Sequence, residues 1–175
     1  FEGNKYEGDT MLPIIDTFRQ RYGFDKLTIV ADSGLISNRN IVEIEKRGYQ
    51  YILGARIKNQ PAQITEQIDS LDLTNGESKV IRKDKTTVLI INYSDKRAKK
   101  DLSNRKRGLK RLEEQVASGK LTKSNINKRG YNKYLKMEGE TKVSIDQKKF
   151  DEDAKWDGLK GYQTNNTSLS KKEVI

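Results

Sequence analysis

The alternation of apolar and polar positions divides the chain into helical and extended stretches. Across 10–22, Met11, Ile15, Phe18 and Tyr22 fall on one helical face, with Asp9 or Thr10 as cap, Pro13 tolerable in the first turn and Gly23 as the stop. Residues 27–31 form a continuous apolar, β-branched run, which predicts a buried strand. Ser37 or Asn38 then caps a helix to about Arg47, with Ile41 and Ile44 inward and Gly48 closing it; 49–55 predict a second buried strand. Helix, strand, helix, strand with short joints is α/β wiring, and it predicts that the two strands are parallel neighbours.

Beyond Arg56 the pattern changes. Pro61 opens a short helix carrying Ile64, Ile68 and Leu71, and Asn75-Gly76 marks a turn. The stretches 78–83 and 86–93 read as a hairpin joined at Asp84-Lys85. From Ser94 runs the longest helical pattern, with Ala98, Leu102, Arg105, Leu109, Leu112 and Val116 three or four apart and Gly119 as its end. The region 121–130 is basic and polar, with one helical turn after Thr122. Residues 131–137 and 141–145 predict paired strands around Glu138-Gly139, and Asp146 caps a short helix through Lys155. Trp156-Asp157-Gly158 is a turn, 159–164 another strand, and Ser168 or Ser170 starts a last helix.

Composition turns this wiring toward a polyanionic partner. The 175 residues suffice for one domain with a modest core. Thirty-five Lys and Arg against 25 Asp and Glu leave a formal charge of +10. Apolar residues make up 33% and charged residues 34%, so much of the chain is solvated surface. The long helix concentrates that charge: only Asp95 and Asp101 interrupt the nine cations Lys96, Arg97, Lys99, Lys100, Arg105, Lys106, Arg107, Lys110 and Arg111. A solvated face is the plain reading, and phosphate contact is the functional one. Gly108 in the middle costs up to ~1 kcal/mol relative to Ala, which points to a bend.

The absence of Cys and His excludes disulfides, thiolate or imidazole zinc sites, Cys nucleophiles and Ser-His-Asp triads within this chain. Any catalysis falls to carboxylates, Lys, Tyr or a hard cation held by oxygens. Nothing reads as a membrane span or signal peptide, and the absence of Cys fits a reducing cytoplasm. The run 27–31 ends in Asp32-Ser33-Gly34. Ligands of open α/β sheets collect outside the carboxyl ends of strands, so Asp32 is the first candidate for chemistry; its plain alternative is a loop cap.

The order of these signals resembles a known family. Gly3-Asn4 with Glu7-Gly8 before a helix, Val30-Ala31-Asp32-Ser33-Gly34, the stretch from Asn38 to Tyr49 and Tyr51-Ile52-Leu53-Gly54-Ala55-Arg56 are similar to the DDE transposases of bacterial insertion sequences. Tyr93-Ser94-x-x-Arg97-Ala98-x-Lys100-Asp101 and Trp156-Asp157-Gly158 through Thr164-Asn165 resemble the middle region of the same family. The resemblance implies an α/β fold with a partial RNase H-like core: central strands, flanking helices, and a mixed α+β insertion carrying the long basic helix. By this reading 1–56 is partial catalytic core, 57–155 insertion, and 156–175 a return to the core, short of the helix with the catalytic Glu.

In that family three carboxylates hold two metal ions, and Asp32 matches the second Asp. Phosphodiester cleavage needs an activated water or 3′-hydroxyl in line with the leaving oxygen, and a pair of Mg²⁺ (or Mn²⁺) ions about 4 Å apart supports both. The first Asp is expected before Phe1 and the Glu after Ile175; Glu173 does not occupy the motif position. The resemblance therefore implies an internal fragment with one ligand of three, which binds metal weakly and is inactive alone. It implies DNA as partner, transposon ends and target alike, through Lys99, Lys100, Arg105, Arg107 and Arg111, with Trp156 a loose match to a base-stacking role and more plainly a packing residue at its turn. It also implies a homodimer in the intact enzyme, no membrane and a nucleoid-associated cytoplasmic location. The strand 27–31 would lack its usual neighbour and expose an edge prone to association. A non-catalytic basic nucleic-acid-binding module and an inert relic of a decayed element are the alternatives.

Overall fold

A computed structural model describes residues 7–24, 26–34, 37–140 and 142–175; the Gly3-Asn4 signal lies outside them. The first helix, α1 (Glu7–Tyr22), begins a turn earlier than its sequence caps predict, so Asp9 and Thr10 lie inside it. The first strand, β1 (Thr28–Ala31), leads to α2 (Asn38–Lys46), where the Ser37 hydroxyl oxygen accepts the Asn40 N–H at 3.2 Å. The next strand, β2 (Gln50–Ala55), pairs with β1 in parallel, Ile29 opposite Tyr51 and Ala31 opposite Leu53. This is the parallel pair that the wiring predicts. Ile29, Ile44, Tyr49, Tyr51 and Leu53 form its core, and Met11, Leu12 and Ile15 of α1 pack against it. Each such apolar side chain, when fully buried, stabilises by about 1.5–3 kcal/mol.

The chain continues through α3 (Ala62–Asp69), which buries Ile64 and Ile68, into the hairpin of β3 (Ser78–Arg82) and β4 (Val88–Tyr93). The hairpin is antiparallel, and the Asp84 carboxylate holds its turn by accepting the N–H groups of Thr86 and Thr87 at 2.9 and 2.8 Å. Next come α4 (Asp95–Ala117), β5 (Leu135–Glu138), β6 (Lys142–Ile145), α5 (Gln147–Glu152), β7 (Leu159–Thr164) and α6 (Lys171–Val174). The protein is α/β, with a mixed five-stranded sheet in the order β1-β2-β7-β4-β3 and a separate β5-β6 pair. In the large sheet β7 runs antiparallel to β2, with Leu53 opposite Gln163. Within the described sheet β1 is an edge strand, and its Val30 is 72% exposed.

Two compact units result: one runs to Asn92 and resumes at Lys160–Ile175, the other is Tyr93–Leu159. The stretch expected as insertion is thus shared, since the β3-β4 hairpin belongs to the first unit and α4 to the second. The second unit has its own core of Leu112, Tyr134, Leu135, Val143 and Phe150.

One local expectation is corrected in the second unit. Residues 130–134 form a 3₁₀ segment and only 135–138 a strand, shorter than the strand expected over 131–137. The tight turn lets Tyr134 point inward, its hydroxyl donating to Asp153 at 2.6 Å. Gly108 lies inside α4, which runs through it as one helix. Its reason is a close approach: a Cβ there would lie 2.4 Å from the ring of Tyr131.

Candidate functional site

The first unit places Asp32 directly after β1, exposed to solvent. The Ser33 hydroxyl donates to its Oδ1 at 3.2 Å. The turn lies close over the neighbouring strand. A Cβ on Gly54 would be 3.0 Å from the Ser33 backbone nitrogen and 3.4 Å from Asp32 Oδ1. Gly54 sits inside β2, where a glycine in a strand pattern marks close backbone approach. The close approach ties Asp32 to the carboxyl ends of two parallel strands.

Beside Ser33 and Gly54 opens a cleft of about 300 Å³. Ser37 and Asn38 at the start of α2, Arg56 and Asn59 after β2, Lys83 from the hairpin turn and Gln163 from β7 line it. Lys83 donates from Nζ to Gln163 Oε1 at 3.1 Å, across 80 positions of sequence. Sequence reasoning passes over Arg56 and Lys83 as part of this site, because only the sheet order brings the hairpin turn to β2 and β7.

Asp32 offers one carboxylate, a hard-oxygen donor of the kind that Mg²⁺ takes. Among the described residues no three His, Cys, Asp or Glu side chains are grouped so as to hold a metal ion. The described residues do not by themselves build a two-ion site.

The second unit carries the basic surface. Lys99, Lys100, Arg107 and Arg111 are exposed along α4, with Arg107 donating to the Asn104 side chain. Arg105 corrects the expectation that it faces DNA. It is 7% exposed, donates to the Phe150 carbonyl at 2.8 Å and to Asp157 Oδ2 at 2.7 Å, and lies 4.6 Å over the Phe150 ring. Its place in the inward stripe of α4, alongside Leu109 and Leu112, was the signal; its charge suggested the opposite. Trp156 is half-buried with the Lys155 ammonium 5.5 Å from its ring, and the adjacent Asp157, also half-buried, is the ion-pair partner of Arg105.

No known protein family, curated protein or solved structure matches the chain. Among the described residues no helix is long and apolar enough to cross a membrane.

Proposed function

We propose that this chain is part of a DDE-type transposase, with Asp32 as one of the carboxylates that hold its metal ions. The observation that carries the reading is the position of Asp32: exposed, immediately after β1, and beside the parallel neighbour β2 at Gly54. Such a position in an α/β sheet is where ligands gather. In this reading β1, β2 and α2 are a portion of an RNase H-like core, and α4 belongs to a region inserted into it. Mg²⁺ would supply charge compensation at the attacked phosphodiester when bound. The chain's own contribution is to hold one oxygen ligand and to bind DNA.

DNA backbone contact is assigned to Lys99, Lys100, Arg107 and Arg111, whose exposure on one helix suits phosphate binding. The same surface supports a second reading, a basic nucleic-acid-binding module without metal chemistry.

A metal-dependent nicking assay on a supercoiled plasmid tests the catalytic side. The isolated chain is expected to give no product with Mg²⁺ or Mn²⁺. Product that disappears in Asp32→Asn would overturn the assignment of a single ligand to this chain.

A further inference from the structure

We propose that the cleft beside Asp32 is a binding subsite for a backbone phosphate of nucleic acid, with Lys83 and Arg56 supplying the charge. The inference rests on the transposase reading for its substrate class and on the cleft's own geometry for its chemistry. Lys83 and Arg56 are the charged residues of the lining, and among the described residues no Asp or Glu lines the cleft. The Lys83 ammonium is oriented by a neutral amide, Gln163 Oε1 at 3.1 Å, so that bond leaves its positive charge uncompensated. Gln163 is itself 7% exposed and fixed on β7 opposite Leu53, which makes the Lys83 position a built one.

The remaining lining suits a phosphodiester. Its non-bridging oxygens accept hydrogen bonds, and the amides of Asn38 and Asn59 and the Ser37 hydroxyl can donate them. Ser37 Oγ already accepts from the Asn40 N–H, which leaves its own proton available. The Gln60 side chain also lines the cleft; its Nε2 donates to the Arg56 carbonyl while its Oε1 is buried without a hydrogen-bond partner, an acceptor for a sugar hydroxyl or water. Asp32 borders this site through Ser33 and Gly54 and by itself repels an anion. Two cations offset that repulsion for the single charge of a diester and hold the backbone against the carboxylate.

The test is an amide chemical-shift titration of the full chain with two probes, a thymidine hexanucleotide and inorganic phosphate. Both probes are expected to shift the amides of Ser33, Gly54 and Asn59. Lys83→Gln with Arg56→Gln should remove those shifts and flatten the salt dependence of hexanucleotide affinity by about 0.7 in log–log slope for each phosphate no longer neutralised. The Gln side chains keep hydrogen-bonding capacity, and unchanged β1 and β2 amide positions show that the variant is folded. Hexanucleotide shifts confined to 96–111 would overturn the subsite and leave DNA binding by the chain intact. Cleft shifts with phosphate and none with hexanucleotide would overturn nucleic acid as the source of the phosphate. No shift anywhere with the hexanucleotide would overturn both the subsite and the DNA reading beneath it.

Discussion

Arg105 and Asp157 meet inside the second unit, Nη2 to Oδ2 at 2.7 Å, with side chains only 9% and 16% exposed. The pair joins the middle of α4 to the turn before β7. The Arg105 Nη1 donates to the Phe150 carbonyl, while its Nε is buried without a hydrogen-bond partner. Leaving either charge alone in that setting is costly. Arg105→Met or Asp157→Leu alone is expected to destabilise the protein by about 3–5 kcal/mol, and the two together by much less, because the second change removes the stranded charge. Urea unfolding of the two single variants and the double variant checks this. Additive effects would contradict a coupled pair.

Gly108 should resist the usual helix-stabilising substitution. Ala in place of a mid-helix Gly ordinarily gains up to ~1 kcal/mol. Here the added methyl meets the Tyr131 ring, whose hydroxyl is tied to the Asn104 carbonyl at 2.9 Å. Overpacking of this kind costs about 1–3 kcal/mol, so Gly108→Ala is expected to lower stability. Tyr131→Ala should restore the ordinary sign of the Gly108→Ala change, measured as the difference between the two Tyr131→Ala proteins. A gain in the wild-type background would show that the ring simply moves aside.

The exposed cations of α4 make a separate forecast. Lys99→Ala and Arg107→Ala should each weaken duplex DNA binding and flatten its log–log salt slope by about 0.9, one phosphate apiece. Filter retention over a salt series measures the slope. Both residues are exposed, so neither change should alter the unfolding free energy beyond about 0.5 kcal/mol. An unchanged slope in both variants would remove α4 from the DNA surface.

Much of the local structure was legible in the residues. Ser37, Asp146 and Ser170 are found at the helix starts their side chains predict, because an N-cap needs only its own oxygen and an N–H two or three residues on. The parallel β1-β2 pair followed from short joints, and the β3-β4 hairpin from the turn at Asp84. What was missed depends on distant contacts. Nothing near 159–164 shows that this strand lies between β2 and β4, yet that order brings Gln163 to Lys83. Nor does a cation in a basic helix reveal that Asp157 waits for it, although the helical stripe containing Arg105 hinted at an inward direction. At the candidate site the carboxylate at the end of its strand could be read directly; the close approach of Gly54 on the next strand and the cleft beside them could not, since both depend on how β1 and β2 pair.

The assignment of Asp32 as a metal ligand has a direct test that does not require turnover. Mn²⁺ titrated into the full chain at low millimolar concentration should broaden the amide signals of Asp32, Ser33 and Gly54 first, since these lie against the Asp32 carboxylate. Asp32→Asn should abolish that broadening while leaving the rest of the spectrum in place. Broadening that centres on other acidic residues, or that persists around Gly54 in Asp32→Asn, would contradict the account.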